Sequence, residues 1–285
     1  MRWGTVEIDG VKSAGILVNN RVVTLRDVNQ KFGTQFPVEL EEVICGGHAA
    51  SFVKALDAHP EWVGELGRQE ATVRVLAPLQ RPERIVGIGL NYADHAHDLS
   101  ESVPDEPATF MKPTTSIVGL DDTIKIPQVS HRSTAEAEVA LVFSKECKDV
   151  PPEQWQSVIF GMVPVLDMTA EDILRRNPRF LTRAKGFDSF FSLGPWIVTP
   201  DEWPSSLDQI EVRTLVQGHV VARNVLANMS YGLADLVAFI TRGCTVGPSA
   251  VLTTGTPGAA VLAEGMQITA EVEGIGRLSN WVGVS

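Results

Sequence analysis

The chain has 285 residues and a formal net charge of −11, with 44% hydrophobic and 21% charged residues. This acidity argues against a nucleic-acid partner, and no apolar run reaches the length that spans a membrane. The three cysteines, Cys45, Cys147 and Cys244, are scattered, and residues 1–4 lack the features of a signal peptide, so a reducing cytoplasm without disulfides is predicted.

Residues 1–78 are predicted to form a small N-terminal α/β module. The pair Asn19-Asn20 separates two β-like runs and is typical of a hairpin turn. A proline-rich stretch, residues 77–82, marks a linker, so the second unit is predicted to span residues 79–285. The β-like and helical patterns of the module cover residues 5–8, 14–18, 21–24, 39–44 and 49–58.

Gly87 and Gly89 lie in the next β-like run, residues 84–89, and suggest a dinucleotide-binding loop. Tyr92 stands where that motif needs a third glycine, and no βαβ unit of the required length follows. The sequence therefore argues against a Rossmann site.

His95 and Asp98 lie three residues apart in a predicted short helix, residues 91–99, and so share a helical face. A carboxylate beside an imidazole favours the protonated ring and fixes its tautomer, which makes this pair a candidate general base for water. A solvated polar helix would produce the same spacing. Residues 100–107 are acidic, contain two prolines and are predicted to form a mobile, lid-like loop.

Carboxylates accompany two apolar runs in the middle of the chain. If residues 133–143 form a strand, Glu136 and Glu138 point to one face while the alternate apolar residues enter a core. The apolar run 161–166 ends on Asp167, and the three carboxylates converge if the two runs are neighbours. Clustered carboxylates repel one another, so a cation would stabilise them, and all-oxygen ligands suit Mg²⁺, Mn²⁺ or Ca²⁺. The alternative is a half-exposed strand with a solvated face.

Thr169 and Asp172 resemble a capping box that opens a short helix, which would place Asp167 at a strand-to-helix junction. Lys185 follows in the polar segment 181–190. A lysine near three carboxylates and a cation would hold a substrate anion or stabilise a developing oxyanion. An ordinary ion pair or a solvated lysine is the alternative.

The remainder of the chain is rich in short β-like runs and contains one helical pattern, residues 232–241. Gly255 and Thr256 begin a tight turn whose backbone N–H groups and hydroxyl are candidates for binding a carboxylate. Strands outnumber helices, so the sequence predicts an α+β fold that is mostly β. The β-like runs are residues 196–198, 210–216, 220–222, 251–254 and 268–272.

Eight segments, taken in order, resemble the fumarylacetoacetate hydrolase (FAH) family over about residues 82–285. The resemblance implies an FAH-type mixed β-roll catalytic domain, preceded by the small variable domain that many members carry, and a homodimer. The matching segments are residues 87–95, 110–113, 136–138, 166–170, 183–188, 193–196, 254–257 and 274–276.

The resemblance also implies a site. Mg²⁺ or Mn²⁺ would be held by Glu136, Glu138 and Asp167, while Lys185 would contact the substrate or its developing charge. The position of Thr256 contacts the substrate carboxylate in the family. The histidine that matches His95 belongs to a base dyad, whose acid is usually Glu where this chain has the shorter Asp98. Further substrate-binding candidates are Gly255, Lys112 and Tyr92, which lie within the matching segments.

Members of the family act on short 2-oxo acids and their enols. The resemblance therefore predicts a metal-dependent hydrolase that cleaves a C–C bond in an acylpyruvate-like 2,4-dioxo acid. The alternative is decarboxylation of a 2-oxo acid such as oxaloacetate, or isomerisation of a 2-hydroxydienoic acid in aromatic catabolism, through the same enolate. A non-catalytic metal-binding or ligand-binding protein on the same fold is a further alternative.

Overall fold

The structure is a computed structural model that describes residues 1–92 and 104–284. Its helices are α1 (Leu25–Phe32), α2 (Leu40–Cys45), α3 (His48–Ala58), α4 (Glu61–Glu65), α5 (Glu171–Arg176), α6 (Leu181–Lys185) and α7 (Leu233–Thr241). The first strands are β1 (Arg2–Ile8), β2 (Val11–Val18), β3 (Arg21–Thr24), β4 (Arg68–Gln69), β5 (Arg74–Val75), β6 (Ile85–Gly89), β7 (Ala108–Lys112), β8 (Ile117–Val118), β9 (Thr123–Ile126) and β10 (Ser133–Phe143). The others are β11 (Ile159–Ala170), β12 (Phe191–Leu193), β13 (Ile197–Val198), β14 (Glu211–Val216), β15 (His219–Val225), β16 (Val251–Thr253), β17 (Ala259–Val261), β18 (Gln267–Val272) and β19 (Gly276–Val284).

Two sheets organise these strands. The larger, 14-stranded sheet follows the path β4-β3-β2-β1-β13-β11-β10-β16-β6-β7, with β5, β8, β12 and β17 paired off this path. The 5-stranded sheet has the order β15-β14-β18-β19-β9. Most neighbours are antiparallel, whereas β16 and β6, β12 and β8, and β19 and β9 are parallel. The structure confirms the prediction of an α+β fold that is mostly β and has mixed sheets.

The long hairpin of β10 and β11 lies between two hydrophobic clusters. On one face of β10, Ala137, Val139 and Leu141 pack in a cluster that includes residues of the 5-stranded sheet. On the other face, Ala140 and Val142 belong to a cluster shared with the N-terminal strands and helices. Both faces are therefore covered, and the alternative of a strand with a solvated face is wrong: Glu136 is the one residue of β10 that is not fully buried.

The first three N-terminal strands, α2 and α3 form where the sequence pattern predicts them. Asn19 and Asn20 both have positive φ, of 49° and 60°, as a two-residue turn between β2 and β3 requires. Helix α1 was not predicted, although Thr24 caps it by accepting a 3.0 Å hydrogen bond from the N–H of Asp27.

Strand β1 also pairs with β13, so the first residues of the chain join the same sheet as the later strands. The division at residues 78 and 79 stays a prediction.

The strand that carries Asp167 is longer than predicted. β11 continues through Ala170, where it still pairs with Ser133 of β10, and α5 begins at Glu171 without a side-chain cap. The predicted capping box of Thr169 and Asp172 is therefore wrong, because pairing with β10 holds Thr169 in the sheet. Asp172 instead accepts hydrogen bonds from the Ser130 hydroxyl (2.7 Å) and the His131 N–H (3.2 Å).

The described part of the chain contains no helix that is both long and apolar enough to cross a membrane. Residues 93–99 of the predicted helix, with His95 and Asp98, and residues 100–103 of the predicted lid lie outside the described residues.

Candidate active site

The pairing of β10 with β11 brings the three predicted metal ligands together. Glu136 lies directly opposite Asp167, and Glu138 lies opposite Val165. Because opposite residues of an antiparallel pair point to the same face, the three carboxylates share one face of the sheet, which we call the carboxylate face. One oxygen from each carboxylate lies within 4.8 Å of the others, so the predicted convergence is found.

Glu138 is the most deeply placed glutamate of this group. Its side chain is buried, and its Oε2 accepts a 2.8 Å hydrogen bond from the N–H of Gly255. Burial, together with the negative charge of Asp167, raises the pKa of Glu138 to about 8. A nearby cation would favour its ionised form.

Lys185 contacts two of the three carboxylates. Its Nζ lies 2.9 Å from Oε2 of Glu136 and 2.7 Å from Oδ2 of Asp167. Burial disfavours the ammonium ion, but the charges of Asp167 and Glu136 outweigh it and raise the pKa of Lys185 above its ordinary value. The predicted proximity of Lys185 to the carboxylates is found, with the lysine as their counter-ion.

Lys112 approaches Asp167 from the other side. Its Nζ donates to Oδ1 of Asp167 and, over 3.1 Å, to the carbonyl of Met168. The rings of Phe110 and Phe191 lie about it, with centroids 6.0 and 5.9 Å from Nζ, and the side chain has no exposed surface. Burial lowers the pKa of Lys112 to about 8, against the opposing effect of Asp167.

Asp167 thus accepts from two ammonium groups, one on each oxygen. These charges outweigh its complete burial and hold the pKa of its carboxyl below the usual range. Three carboxylates and two ammonium groups leave one net negative charge when all are ionised. The donors offered by Glu136, Glu138 and Asp167 are all carboxylate oxygens, which fits a hard divalent cation and does not fit a soft one.

The remaining predicted residues surround this group less directly. The hydroxyl of Thr256 donates to the carbonyl of Gly258 (3.0 Å), and the N–H of Gly255 binds the protein's own Glu138, so the turn uses both donors internally. Burial raises the pKa of the Tyr92 phenol, and the negative charge of nearby Glu138 raises it further. The substrate-binding roles of these residues and of Lys112 stay predictions, as does the base dyad of His95 and Asp98, which lies outside the described residues.

Sequence reasoning missed several parts of the site. The ion pair of Lys112 with Asp167 joins residues 55 positions apart, which no local spacing reveals. Thr169 was assigned to a helix cap, yet it continues the alternation of β11 two residues after Asp167. Simple extension of that alternation would have placed its hydroxyl on the carboxylate face.

The fold and its side chains define a β-roll protein with three clustered carboxylates that could hold a hard cation. Residues 84–283 match the family described as "Fumarylacetoacetate (FAA) hydrolase C-terminal", and the chain belongs to the fumarylacetoacetate hydrolase family. An uncharacterised protein of Archaeoglobus fulgidus is 39% identical over 209 residues, which cover 73% of this chain and 81% of that protein.

Solved structures show the same fold. The 5-carboxymethyl-2-hydroxymuconate delta-isomerase from Mycobacterium smegmatis is 28% identical with a TM-score of 0.78, covering 100% of this chain and 99% of that one. A maleylpyruvate hydrolase from Sphingobium sp. SYK-6, in complex with manganese(II) and pyruvate, is 22% identical with a TM-score of 0.82, covering 100% of both chains. At this identity the second likeness concerns the fold alone.

Proposed function

We propose that the protein is a divalent-metal-dependent hydrolase that cleaves a C–C bond in an acylpyruvate-like 2,4-dioxo acid. The observation that carries the proposal is the group of three carboxylates within 4.8 Å of one another, with the Lys185 ammonium in contact with two of them. Membership of the FAH family supports it. Mg²⁺ and Mn²⁺ are the preferred cations of the proposal, and Ca²⁺ is a third candidate.

Glu136, Glu138 and Asp167 would hold the cation. When bound, it would supply Lewis-acid polarisation of the substrate's carbonyl and charge neutralisation of its carboxylate. Lys112 donates to Oδ1 of Asp167 on its buried side and so fixes the position of the aspartate side chain. Lys185 lies on the less buried side and would stabilise negative charge that develops on the substrate.

The residues have distinct roles in the proposed reaction. His95, oriented by Asp98, would take a proton from water. The hydroxide would attack the distal carbonyl, and the C–C bond would break to give a carboxylic acid and the enolate of pyruvate. Lys185 would stabilise that enolate until it takes a proton. Thr256 would orient the substrate carboxylate.

An alternative reaction uses the same enolate without water. The chain is more similar in sequence to the solved delta-isomerase, at 28% identity, than to the solved maleylpyruvate hydrolase, at 22%. This observation favours isomerisation of a 2-hydroxydienoic acid, or the related decarboxylation of a 2-oxo acid. Product analysis separates the reactions, because hydrolysis yields two acids, decarboxylation yields CO₂, and isomerisation leaves the mass unchanged.

The test is turnover of a panel of acylpyruvates, oxaloacetate and hydroxydienoic acids with Mg²⁺ or Mn²⁺. Glu136→Gln should abolish metal-dependent turnover and weaken Mn²⁺ binding, whereas Glu153→Gln, at an exposed glutamate, should change neither. An active, metal-independent Glu136→Gln enzyme would overturn the assignment. Binding of Mn²⁺ and oxo acids with no turnover of any panel member would favour a non-catalytic protein.

The proposal includes a homodimer in the cytoplasm that acts on a small 2-oxo acid. Light scattering coupled to size-exclusion chromatography measures the mass in solution, for which one chain contributes 30.9 kDa. A mass of a single chain at micromolar concentration would contradict the dimer.

A further inference from the structure

A short gap separates β16 from β17 along one edge of β10. The last residue of β16 lies opposite Ala140 and the first residue of β17 lies opposite Glu136. Residues 137–139 of β10 therefore face the longer segment 254–258, which leaves the sheet as a turn. Backbone groups of β10 inside this gap cannot be satisfied by regular strand pairing and need other partners.

Two threonine hydroxyls bond the backbone of β10 inside the gap. The hydroxyl of Thr254 donates to the carbonyl of Val139 at 2.9 Å. Thr214 is fully buried on β14 of the 5-stranded sheet, and its hydroxyl accepts a hydrogen bond from the N–H of Ala137 at 3.2 Å. Because a backbone N–H only donates, the Thr214 hydroxyl keeps its own proton for a second partner.

That second partner is the carbonyl of Gly258 in the turn. The Thr214 hydroxyl donates to this oxygen at 3.1 Å, and the Thr256 hydroxyl donates to the same oxygen at 3.0 Å. Gly258 is buried, and a Cβ at this residue would lie 2.7 Å from the Cβ of Ala222. A carbonyl oxygen has two lone pairs and accepts both hydroxyls, so it keeps one partner if the other hydroxyl turns away.

The two hydroxyls differ in where they lie. Thr256 follows Gly255, whose N–H donates to Glu138 at 2.8 Å, so Thr256 is next to a residue that contacts the clustered carboxylates. Its oxygen also accepts from the N–H of Gly258 at 3.2 Å, which holds the oxygen in place while the hydroxyl proton changes partner. Thr214 reaches the turn from the other sheet.

We propose that Thr214 is a positioning residue that frees the Thr256 hydroxyl for the substrate carboxylate. When a carboxylate accepts the Thr256 proton, the Gly258 carbonyl retains its hydrogen bond from Thr214. Without Thr214, substrate binding would leave a buried carbonyl without a hydroxyl donor, which costs free energy. The inference rests on the proposed function, because that function assigns the substrate carboxylate to Thr256.

The test measures the Kd of pyruvate by calorimetry, with Mn²⁺ at a saturating concentration. Pyruvate serves as the probe because it is a 2-oxo acid with a single carboxylate. Thr214→Val removes the hydroxyl and nearly preserves the side-chain volume, and we expect it to raise the Kd of pyruvate about tenfold, through the loss of one hydrogen bond. The Kd of Mn²⁺ alone should not change, because the pairing of β10 with β11 still holds the carboxylates.

A double-mutant cycle separates this role from a general loss of packing. Thr256→Val should raise the Kd of pyruvate at least as much as Thr214→Val, because it removes the carboxylate contact itself. The double variant should bind pyruvate like Thr256→Val alone, since no Thr256 hydroxyl is left to turn away from Gly258. Effects that multiply in the double variant would overturn the inference, as would wild-type pyruvate affinity in Thr214→Val.

Thr241→Val is the matched structural control. The Thr241 hydroxyl is also fully buried, accepts from the N–H of Val150 at 3.1 Å and donates to the carbonyl of Val237 at 2.8 Å. Both this variant and Thr214→Val should have a lower Tm than the wild type, and only Thr214→Val should bind pyruvate more weakly. An equal loss of pyruvate affinity in Thr241→Val would show a general structural effect and overturn the inference.

Two conservative variants complete the series. Thr214→Ser keeps the hydroxyl and should bind pyruvate as the wild type does. Thr214→Cys carries a weaker donor of similar size and should show an intermediate loss, and it replaces the valine variant if that variant does not fold. Weaker binding in the serine variant than in the cysteine variant would contradict a role for the hydroxyl.

Failure of this inference is distinguishable from failure of the proposed function. If the wild-type protein binds no pyruvate with either Mn²⁺ or Mg²⁺, the proposed function is wrong and the inference falls with it. If the wild-type protein binds pyruvate, and Thr256→Val binds it as tightly, the cation site stands and the roles of Thr256 and Thr214 are refuted.

Discussion

Lys112 and Lys185 hold the same carboxylate but differ in what else they can touch. Lys112 is sealed beneath Asp167, with no exposed side-chain surface, whereas the Lys185 side chain keeps 7% of its surface exposed and also contacts Glu136. The first lysine can fix Asp167 but cannot reach a bound molecule without rearrangement. The second lies on the less buried side of Asp167, beside Glu136.

Replacing Lys185 with Met should separate chemistry from cation binding. Turnover should fall about 100-fold or more, because a contact to developing charge is lost. The Kd of Mn²⁺ should fall, because the variant removes an ammonium group that competes with the cation for oxygens of Glu136 and Asp167. Steady-state kinetics and calorimetry measure the two effects, with the exposed Arg183→Met as a control expected to change neither. Weaker Mn²⁺ binding in the Lys185 variant would contradict the competing role.

At this scale the sequence predicted the three carboxylates and the nearby Lys185, and it missed the ion pair of Lys112 with Asp167. Alternation of side chains in residues 133–143 sufficed to place Glu136 and Glu138 on one face. The apolar run 161–166 ends on Asp167 and placed that carboxylate beside them on the condition that the two runs are neighbours, and the resemblance to the family implied the same grouping together with Lys185. The contact of Lys112 with Asp167 depends on how distant segments pack, which neither spacing nor propensity specifies.

At the scale of single elements, β6 and β7 pack so closely that one glycine is required. Gly87 lies opposite Phe110, and a Cβ at Gly87 would meet the Phe110 ring at 2.1 Å. A Cβ at Gly89 on the same strand would meet nothing nearer than the Ala108 carbonyl, at 3.9 Å. Contact with the Phe110 ring therefore explains why position 87 holds glycine, whereas no such contact restricts position 89.

Gly87→Ala should lower the free energy of unfolding by about 1–3 kcal/mol, because the phenyl ring of Phe110 must move in a packed region. Gly89→Ala should change it by less than about 1 kcal/mol. Urea denaturation of both variants provides the comparison. Equal effects at the two positions would show that ring contact does not determine the preference for glycine.

Asp172 links the start of α5 to the segment before β10, and this link depends on pH. Partial burial is outweighed by hydrogen bonds from the Ser130 hydroxyl and the His131 N–H, which hold the pKa of Asp172 below its ordinary value. A carboxyl whose pKa is depressed by folding stabilises the protein above its unfolded pKa of about 3.9. That stabilisation disappears as the pH falls through the folded-state pKa.

Asp172→Asn should therefore cost about 1–2 kcal/mol at neutral pH, where charged hydrogen bonds are weakened. The difference from wild type should persist down to about pH 5 and shrink as the pH falls below about 4. Urea titrations at several pH values measure it, and Asp208→Asn, at an exposed aspartate, serves as control. A difference that stays constant into strong acid would exclude Asp172 as the titrating group.

At the scale of the whole molecule, the N-terminal strands and helices complete the core of the larger sheet. Trp3, Ile16 and Leu25 belong to the same hydrophobic cluster as Val165 of β11 and Phe191 of β12. That cluster lies on the same face of the sheet as the carboxylates, since Val165 is two residues from Asp167 on β11 and opposite Glu138. Residues of the module predicted for residues 1–78 thus pack beside the carboxylates, on the same side of the sheet.

Deletion of residues 1–78 should leave a fragment that does not unfold cooperatively, because the edge of β13 and one side of the larger sheet lose their cover. Circular dichroism during a urea titration measures cooperativity. A fragment of residues 79–285 with a sharp transition and full Mn²⁺ binding would show that the second unit folds by itself.

The sequence predicted the class of fold and most strand positions at this scale. It did not predict that β10 is buried on both sides, because alternation with two glutamates is equally typical of a half-solvated strand. Cover from the 5-stranded sheet on one side and from the N-terminal helices on the other comes from contacts remote along the chain. Those contacts determine burial, and burial determines the electrostatics of the site.

The pairing of Glu136 with Asp167 has a consequence for how the chain tolerates changes in length. Insertion or deletion of a single residue inside β10 or β11 would turn one set of carboxylates toward the opposite cluster, among Ala137 and Leu166, and split the ligands across the sheet. Indels among relatives should therefore be absent from residues 133–143 and 159–170. They should collect instead in the connecting segment 144–158, whose length has no bearing on which side the acids face.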